Sequence, residues 1–365
     1  MYIVLSYKTQ FLMEKIILSG AVLLLMTACG SSHSSSDNTT KETTVSSAVI
    51  EAKYSMPEKF AKTITAKELK NYLYVFAGDE FEGRNTGEPG QKKAAEFLKE
   101  QYQKMDIPSP ISKDDYFQEI PESYFRGGIK ASENVLAFIK GTEKPDEIVV
   151  ISAHYDHVGV DADGNIYNGA DDDGSGTVSL LEIAEAFKKA KDNGVGPKRS
   201  ILFLHVTGEE KGLYGSKFYT ENPLFPLENT VTNLNIDMVG RIDKDHEPED
   251  KQNYVYLIGS DRLSSDLHEL SEKVNGKYTK LDLDYTYNDK NDPNRFYYRS
   301  DHYNFAKHNI PIIFYFNGVH EDYHRPTDTP DKIEYDLMAK RAQLVFYTAW
   351  EVANRPDRLI VDGAN

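Results

Sequence analysis

Several of the histidines and acids in this chain stand where apolar runs end. His154 follows the run 148–153, Glu209 and Glu210 follow 201–206, and Asp237 closes 234–236. His324 comes shortly after the run 312–316, and Asp172 lies in a glycine-bounded loop ahead of a helical stretch. Imidazole and carboxylate are the ligands that suit zinc, manganese or cobalt. The only cysteine, Cys29, allows neither a thiolate metal site nor an intramolecular disulfide. A pair of divalent ions needs several N/O ligands, at least one of them bridging, and an open position for water. His154, Asp172, Glu210, Asp237 and His324 are five such candidates, with Glu209 left free as a base.

These residues need a scaffold that brings distant strand ends together. The stretches 134–139, 148–153, 201–206, 234–237, 254–258 and 312–316 read as strands. Several are continuous apolar runs, as strands buried on both faces require. Helical patterns intervene: 91–105, 178–189 and a closing helix over 335–354. Thr65-Ala66-Lys67-Glu68 has the form of a capping box. The alternation predicts an α/β fold, with a mixed, mainly parallel central sheet flanked by helices. In such sheets ligands bind beyond the carboxyl ends of the strands, which is where the candidates fall.

The motifs resemble peptidase family M28, the co-catalytic zinc peptidases. The matching pieces are Ala-His154-Tyr-Asp156-His-Val-Gly, Gly169-Ala-Asp-Asp172-Asp173-Gly174-Ser-Gly176, Gly208-Glu209-Glu210-Lys-Gly-Leu-Tyr-Gly-Ser, Asn235-Ile-Asp237-Met-Val-Gly, Arg-Ser300-Asp301-His302 and Tyr323-His324-Arg-Pro-Thr-Asp-Thr. They occur in the family's order, and the likeness runs from about Leu69 to Asn354. It implies a zinc-dependent exopeptidase sandwich with two zinc ions per chain. By the same resemblance His154 and Asp237 belong to one zinc, Glu210 and His324 to the other, and Asp172 bridges them. Asp156 is then an acid that orients the His154 imidazole. Glu209 is the general base, and Tyr323 stabilises the oxyanion. The implied activity is removal of N-terminal residues from peptides, by hydrolysis without a covalent intermediate.

Alternatives stay open at this point. A glutaminyl cyclase has the same fold and one zinc, and a carboxypeptidase of the family needs a cation for the substrate carboxylate. Arg241, Arg295, Arg299 and Arg325 lie near the motifs and could supply it. A non-catalytic binding domain would have lost ligands, yet all five and the base are present. Asp301 has no settled role, and 280–299 reads as an irregular insertion. The run Asp161-Ala-Asp163-Gly-Asn165 begins like a calcium loop, but Ile166 stands where such a loop needs glycine, so a hairpin turn is expected. His205 reads as a core residue, while His157, His302, His308 and His320 lie near motifs whose ligand slots are already filled.

The net charge of −16, with no compensating basic block, removes nucleic acid from the partners. Near the N-terminus a short apolar run, 16–26, precedes Met26-Thr27-Ala28-Cys29, which resembles a bacterial lipobox. Residues 1–29 are therefore expected to be a lipoprotein signal, with acylated Cys29 anchoring an exported protein to a bacterial membrane. Residues 30–60, rich in Ser and Thr, read as a flexible tether, and 61–365 as one peptidase domain.

Overall fold

The computed structural model describes residues 56–363. The signal, the lipobox and most of the expected tether lie outside the described residues. The folded part begins earlier than the expected Ala61. A short helix, α1 (Met56–Ala61), buries Phe60 against Trp350, with ring centroids 6.0 Å apart. Phe60 and Ala61 need this burial, which moves the boundary back by about one turn.

Helix α2 (Ala66–Phe76) starts at the expected box: the Thr65 hydroxyl oxygen accepts the Glu68 amide at 3.2 Å. Helix α3 (Pro89–Lys104) follows, then strands β1 (Phe117–Ile120), β2 (Ser132–Ile139) and β3 (Lys144–His154). A hairpin, β4 (Gly159–Val160) with β5 (Ile166–Tyr167), takes the place of a calcium loop. Its turn is tied by Asp161, whose carboxylate accepts the amides of Asp163 and Asn165. Then come α4 (Gly176–Asp192), β6 (Arg199–Val206), α5 (Tyr214–Glu221), β7 (Thr230–Ile236), β8 (Tyr254–Ile258) and α6 (Ser265–Lys277). Strand β9 (Asp282–Asp284), α7 (His302–Ala306), β10 (Ile312–Phe316) and α8 (Tyr335–Asn354) complete the order.

The eight-stranded sheet runs β1-β2-β6-β3-β7-β10-β8-β9. Its four central strands, β6, β3, β7 and β10, are parallel, while β2 and β8 join them antiparallel. Side chains alternate between two cores. Val149, Ile151 and Ala153 face one with α2, α4 and α8, whereas Ile148 and Val150 face the other with Tyr219 of α5 and Phe305 of α7. Because the central strands are covered on both faces, β10 and much of β3 and β6 read as apolar runs, whereas β7 buries Asn233 and Asn235 among its apolar residues. Being parallel, they also release their following loops at one edge, and that edge carries the candidate site. No helix among the described residues is long and apolar enough to cross a membrane.

Candidate metal centre

Two donor groups meet at this edge. In the first, His154 ends β3 and Asp237 follows β7, with His154 Nε2 3.5 Å from Asp237 Oδ1. In the second, His324 Nε2 lies 3.1 Å from Glu210 Oε2. Asp172 stands between them. Its Oδ1 is 3.2 Å from His154 Nε2 and its Oδ2 is 3.0 Å from His324 Nε2. One oxygen toward each histidine is the arrangement a bridging carboxylate needs.

The other two aspartates of the Asp171–Asp173 run are spoken for. Asp171 accepts the Gly240 amide at 2.7 Å and faces His320 at 3.1 Å. Asp173 can approach the first group, but its oxygens accept the amides of His154, Gly176 and Met238. It ties the ends of β3 and β7 to the start of α4.

The donors suit divalent cations. His154 Nε2 and His324 Nε2 are buried atoms with no hydrogen-bond partner despite the carboxylates beside them. Burial works against a charged imidazole at His324, yet Asp172 and Glu210 outweigh it and push the ring up to about 10. At His154 burial is likewise overcome, chiefly by Asp237, and the ring is raised well above its ordinary value. A buried cluster of carboxylates that draws protons this strongly draws metal cations for the same electrostatic reason.

Asp156 differs from expectation in how it works. The His154 Nδ1 atom is 3.1 Å from the Asp156 backbone carbonyl, and the carboxylate is farther, at 3.7 Å. That carboxylate instead accepts the Glu209 amide at 3.2 Å and the Thr86 hydroxyl at 2.7 Å. One residue therefore orients the imidazole through its main chain and the candidate base's backbone through its side chain. Glu209 is held well above the usual carboxylate range, first by burial and then by Glu210, Asp237 and Asp301 despite His154.

Asp237 is oriented by a buried polar relay. The Asn233 amide donates to Ser152, Ser152 to Asn235, and Asn235 to Ser300, whose hydroxyl donates to Asp237 Oδ2 at 2.6 Å. Asp301 is fully buried and accepts from Ser216; burial pushes its carboxyl up to about 7. Tyr323 stacks on His324, with centroids 4.0 Å apart. It shares with Glu209, Asp172 and Asp237 the lining of a small pocket walled by Met238, Phe296, Phe314 and Phe316. A neighbouring depression is also lined by Glu209 and Tyr323, together with Leu213 and Tyr298. Arg299, from the end of the insertion, borders both.

A family model for peptidase family M28 matches residues 134–349. The chain belongs to that family. It is 28% identical over 266 residues to a probable zinc metalloprotease of Pyricularia oryzae, covering 62% of this chain and 51% of that protein. It is 30% identical over 226 residues to a probable leucine aminopeptidase of Arthroderma benhamiae, covering 60% and 57%. The chain thus spans about half the length of the curated relatives it matches. Among solved structures it is similar to the LapA aminopeptidase of Legionella pneumophila (TM-score 0.63, 22% identity, 82% of this chain and 75% of that one). It is also similar to a Zn-dependent exopeptidase from Parabacteroides distasonis (TM-score 0.61, 19% identity, 79% and 98%). The mixed α/β sandwich is the fold shared with these structures.

Two features of this M28 centre had escaped the motif reading. The loop 82–87 is a scaffold for the site. Arg84, fully buried, donates to the carbonyls of Phe76, Tyr155, Asn168 and Gly169, which clamps the segments carrying His154 and Asp172. Gly83 is left-handed at φ 63°, and a Cβ there would meet the Gly159 carbonyl at 2.4 Å. The other feature is His157, which is buried beside Glu210 and Asp172. Two other histidines beside the motifs are core residues. His205 is a core residue bonded to Tyr102 and lowered to about 3 by burial, and His302 is likewise lowered to about 3 and stacks on Phe314.

Proposed function

We propose that the chain is a dinuclear zinc aminopeptidase that releases single residues from the N-termini of peptides. The observation that carries this reading is Asp172, with one oxygen toward each donor group and Glu209 beside them. Bound zinc ions supply Lewis acidity and lower the pKa of water. Glu209 takes the proton from the attacking water and hands it to the leaving amine. Asp156 fixes the Glu209 backbone for that exchange. Tyr323 lines both depressions and is the donor available to the developing oxyanion.

The two depressions meet at Glu209 and Tyr323, so the scissile bond lies there. The aromatic cavity takes the side chain of the first residue, which favours apolar N-termini. Carboxylates around the site attract the free α-ammonium. The acetylated N-terminus forfeits a charged hydrogen bond, a loss of roughly 3 kcal/mol in transition-state binding.

A carboxypeptidase reading has one observation in its favour. Arg241 is engaged by Asp322 at 3.0 Å, but Arg299 borders the site at an exposed position and could hold a substrate carboxylate. A one-zinc cyclase reading is disfavoured because both donor groups are complete. The test is one peptide in free, N-acetylated and C-amidated forms, incubated with zinc-loaded protein. Cleavage of the free and amidated forms, but not the acetylated one, is expected. Loss on amidation with retention on acetylation would replace the aminopeptidase by a carboxypeptidase. We further propose that the protein is exported and held at a bacterial membrane by acylated Cys29.

A further inference from the structure

The geometry points to His157 as an additional protein ligand of the second metal, which makes that site His157–Asp172–Glu210–His324. This rests on the metal-centre reading above. His157 Nδ1 lies 2.9 Å from Glu210 Oε1 and 3.8 Å from Asp172 Oδ2. His324 Nε2 lies 3.0 Å from Asp172 Oδ2 and 3.1 Å from Glu210 Oε2. With zinc–ligand bonds of about 2.0–2.1 Å, the edges of a tetrahedron are about 3.3–3.4 Å long. The four separations straddle that length, and ligand atoms from all four residues lie within 4.8 Å of one another.

A simple hydrogen bond between His157 and Glu210 is the competing account, and the orientation argues against it. Although only 2.9 Å apart, His157 Nδ1 and Glu210 Oε1 are both buried atoms without a hydrogen-bond partner. They are close but not aligned on each other. His154 Nε2 and His324 Nε2 show the same combination. So does His320 Nε2 against Asp171, but among the described residues His320 belongs to no group of three or more donors.

The ring has little freedom to turn away. It is fully buried and packs edge-on against His324, with centroids 5.6 Å apart. Its backbone amide donates to the Arg84 carbonyl at 3.2 Å. Gly169 makes room for it, since a Cβ at that position would sit 2.5 Å from His157 Cγ. The two sites then differ in kind. The second has four protein ligands, the number typical of closed sites, whereas the first has His154, Asp172 and Asp237 and keeps an open position for substrate or water.

The experiment is to load the histidine-¹⁵N-labelled full chain with cadmium-113 and count imidazole nitrogens coupled to the metal by NMR, with cadmium content measured on the same sample. Three coupled rings are expected, two through Nε2 and one through Nδ1, and the Nδ1 coupling should vanish in His157→Ala. Two cadmium ions with only two coupled rings, both through Nε2, would overturn the assignment while leaving the dinuclear reading intact. One cadmium ion coupled to an Nδ1 would retain His157 as a ligand and overturn the dinuclear reading instead. The count in the unmodified chain decides the matter even if the variant fails to fold.

Discussion

Glu182 should make the protein less stable as pH rises through neutrality, and Glu182→Gln should remove that loss. Glu182 lies on the buried side of α4, 1% exposed, among Glu68 and Tyr72 of α2 and Glu185 and Lys189 of its own helix. Neither of its oxygens makes a well-aligned hydrogen bond, the Thr65 amide giving only weak help. Burial, reinforced by Glu68 and Glu185, raises its carboxyl from 4.5 to about 8. With the folded-state value above the unfolded one, the folded chain binds the proton more tightly. The associated stability is fully present below about pH 4.5 and is lost progressively as pH rises to about 8. At pH 7 the interval above the unfolded value is about 2.5 units, and at about 1.4 kcal/mol per unit the loss is roughly 3–4 kcal/mol. A carboxamide of the same shape carries no such charge. Per-residue unfolding entropies translate this into a rise of about 5 °C in Tm for a domain of this size. Thermal melts of both proteins near pH 5, 7 and 9 should show a gap that is small in acid and widens with pH. A gap independent of pH, or a less stable variant near pH 9, would refute the reasoning.

Other outcomes follow from the same geometry. Glu209→Gln should retain its zinc but lose roughly 10²–10⁴-fold in kcat, read by steady-state kinetics alongside metal analysis. Near-normal turnover would remove Glu209 as the base. Ser300→Ala breaks the relay that aims Asp237, so zinc at the first site should bind roughly 10–100-fold more weakly in competition with a chromophoric chelator. Unchanged affinity would make the relay structural only. Cys29→Ala should move the protein from the membrane to the soluble fraction of a bacterial host, and continued membrane association would rule out the acyl anchor.

The sheet was legible because its central strands are buried on both faces. Runs such as Ile201–Val206 and Ile312–Phe316 leave little room for another reading, and the residues at their ends mark the site edge. Edge elements were not legible. Strand β9 is three residues, Asp282–Asp284, with no apolar alternation, and β1 is four residues of mixed burial. Helix α1 is too short for a periodic pattern and takes its register from tertiary contact with Trp350. Motif order was enough to nominate Asp172, but not to show that the Asp156 carbonyl, rather than its carboxylate, bonds His154. Spacing fixes which residues arrive together, whereas main-chain direction decides which atom points inward. His157 was passed over for a related reason: five ligands filled the expected slots, and nothing in a single sequence signals that a sixth donor folds onto the same point.

Two metals joined by Asp172 are central to the proposed function, and zinc bound per chain tests that most directly. After saturation and removal of excess metal, two equivalents should remain on the protein, and Asp172→Ala should lose most of both because one carboxylate serves each histidine. A single equivalent that does not rise with further zinc, or an Asp172→Ala variant that still holds two, would contradict it.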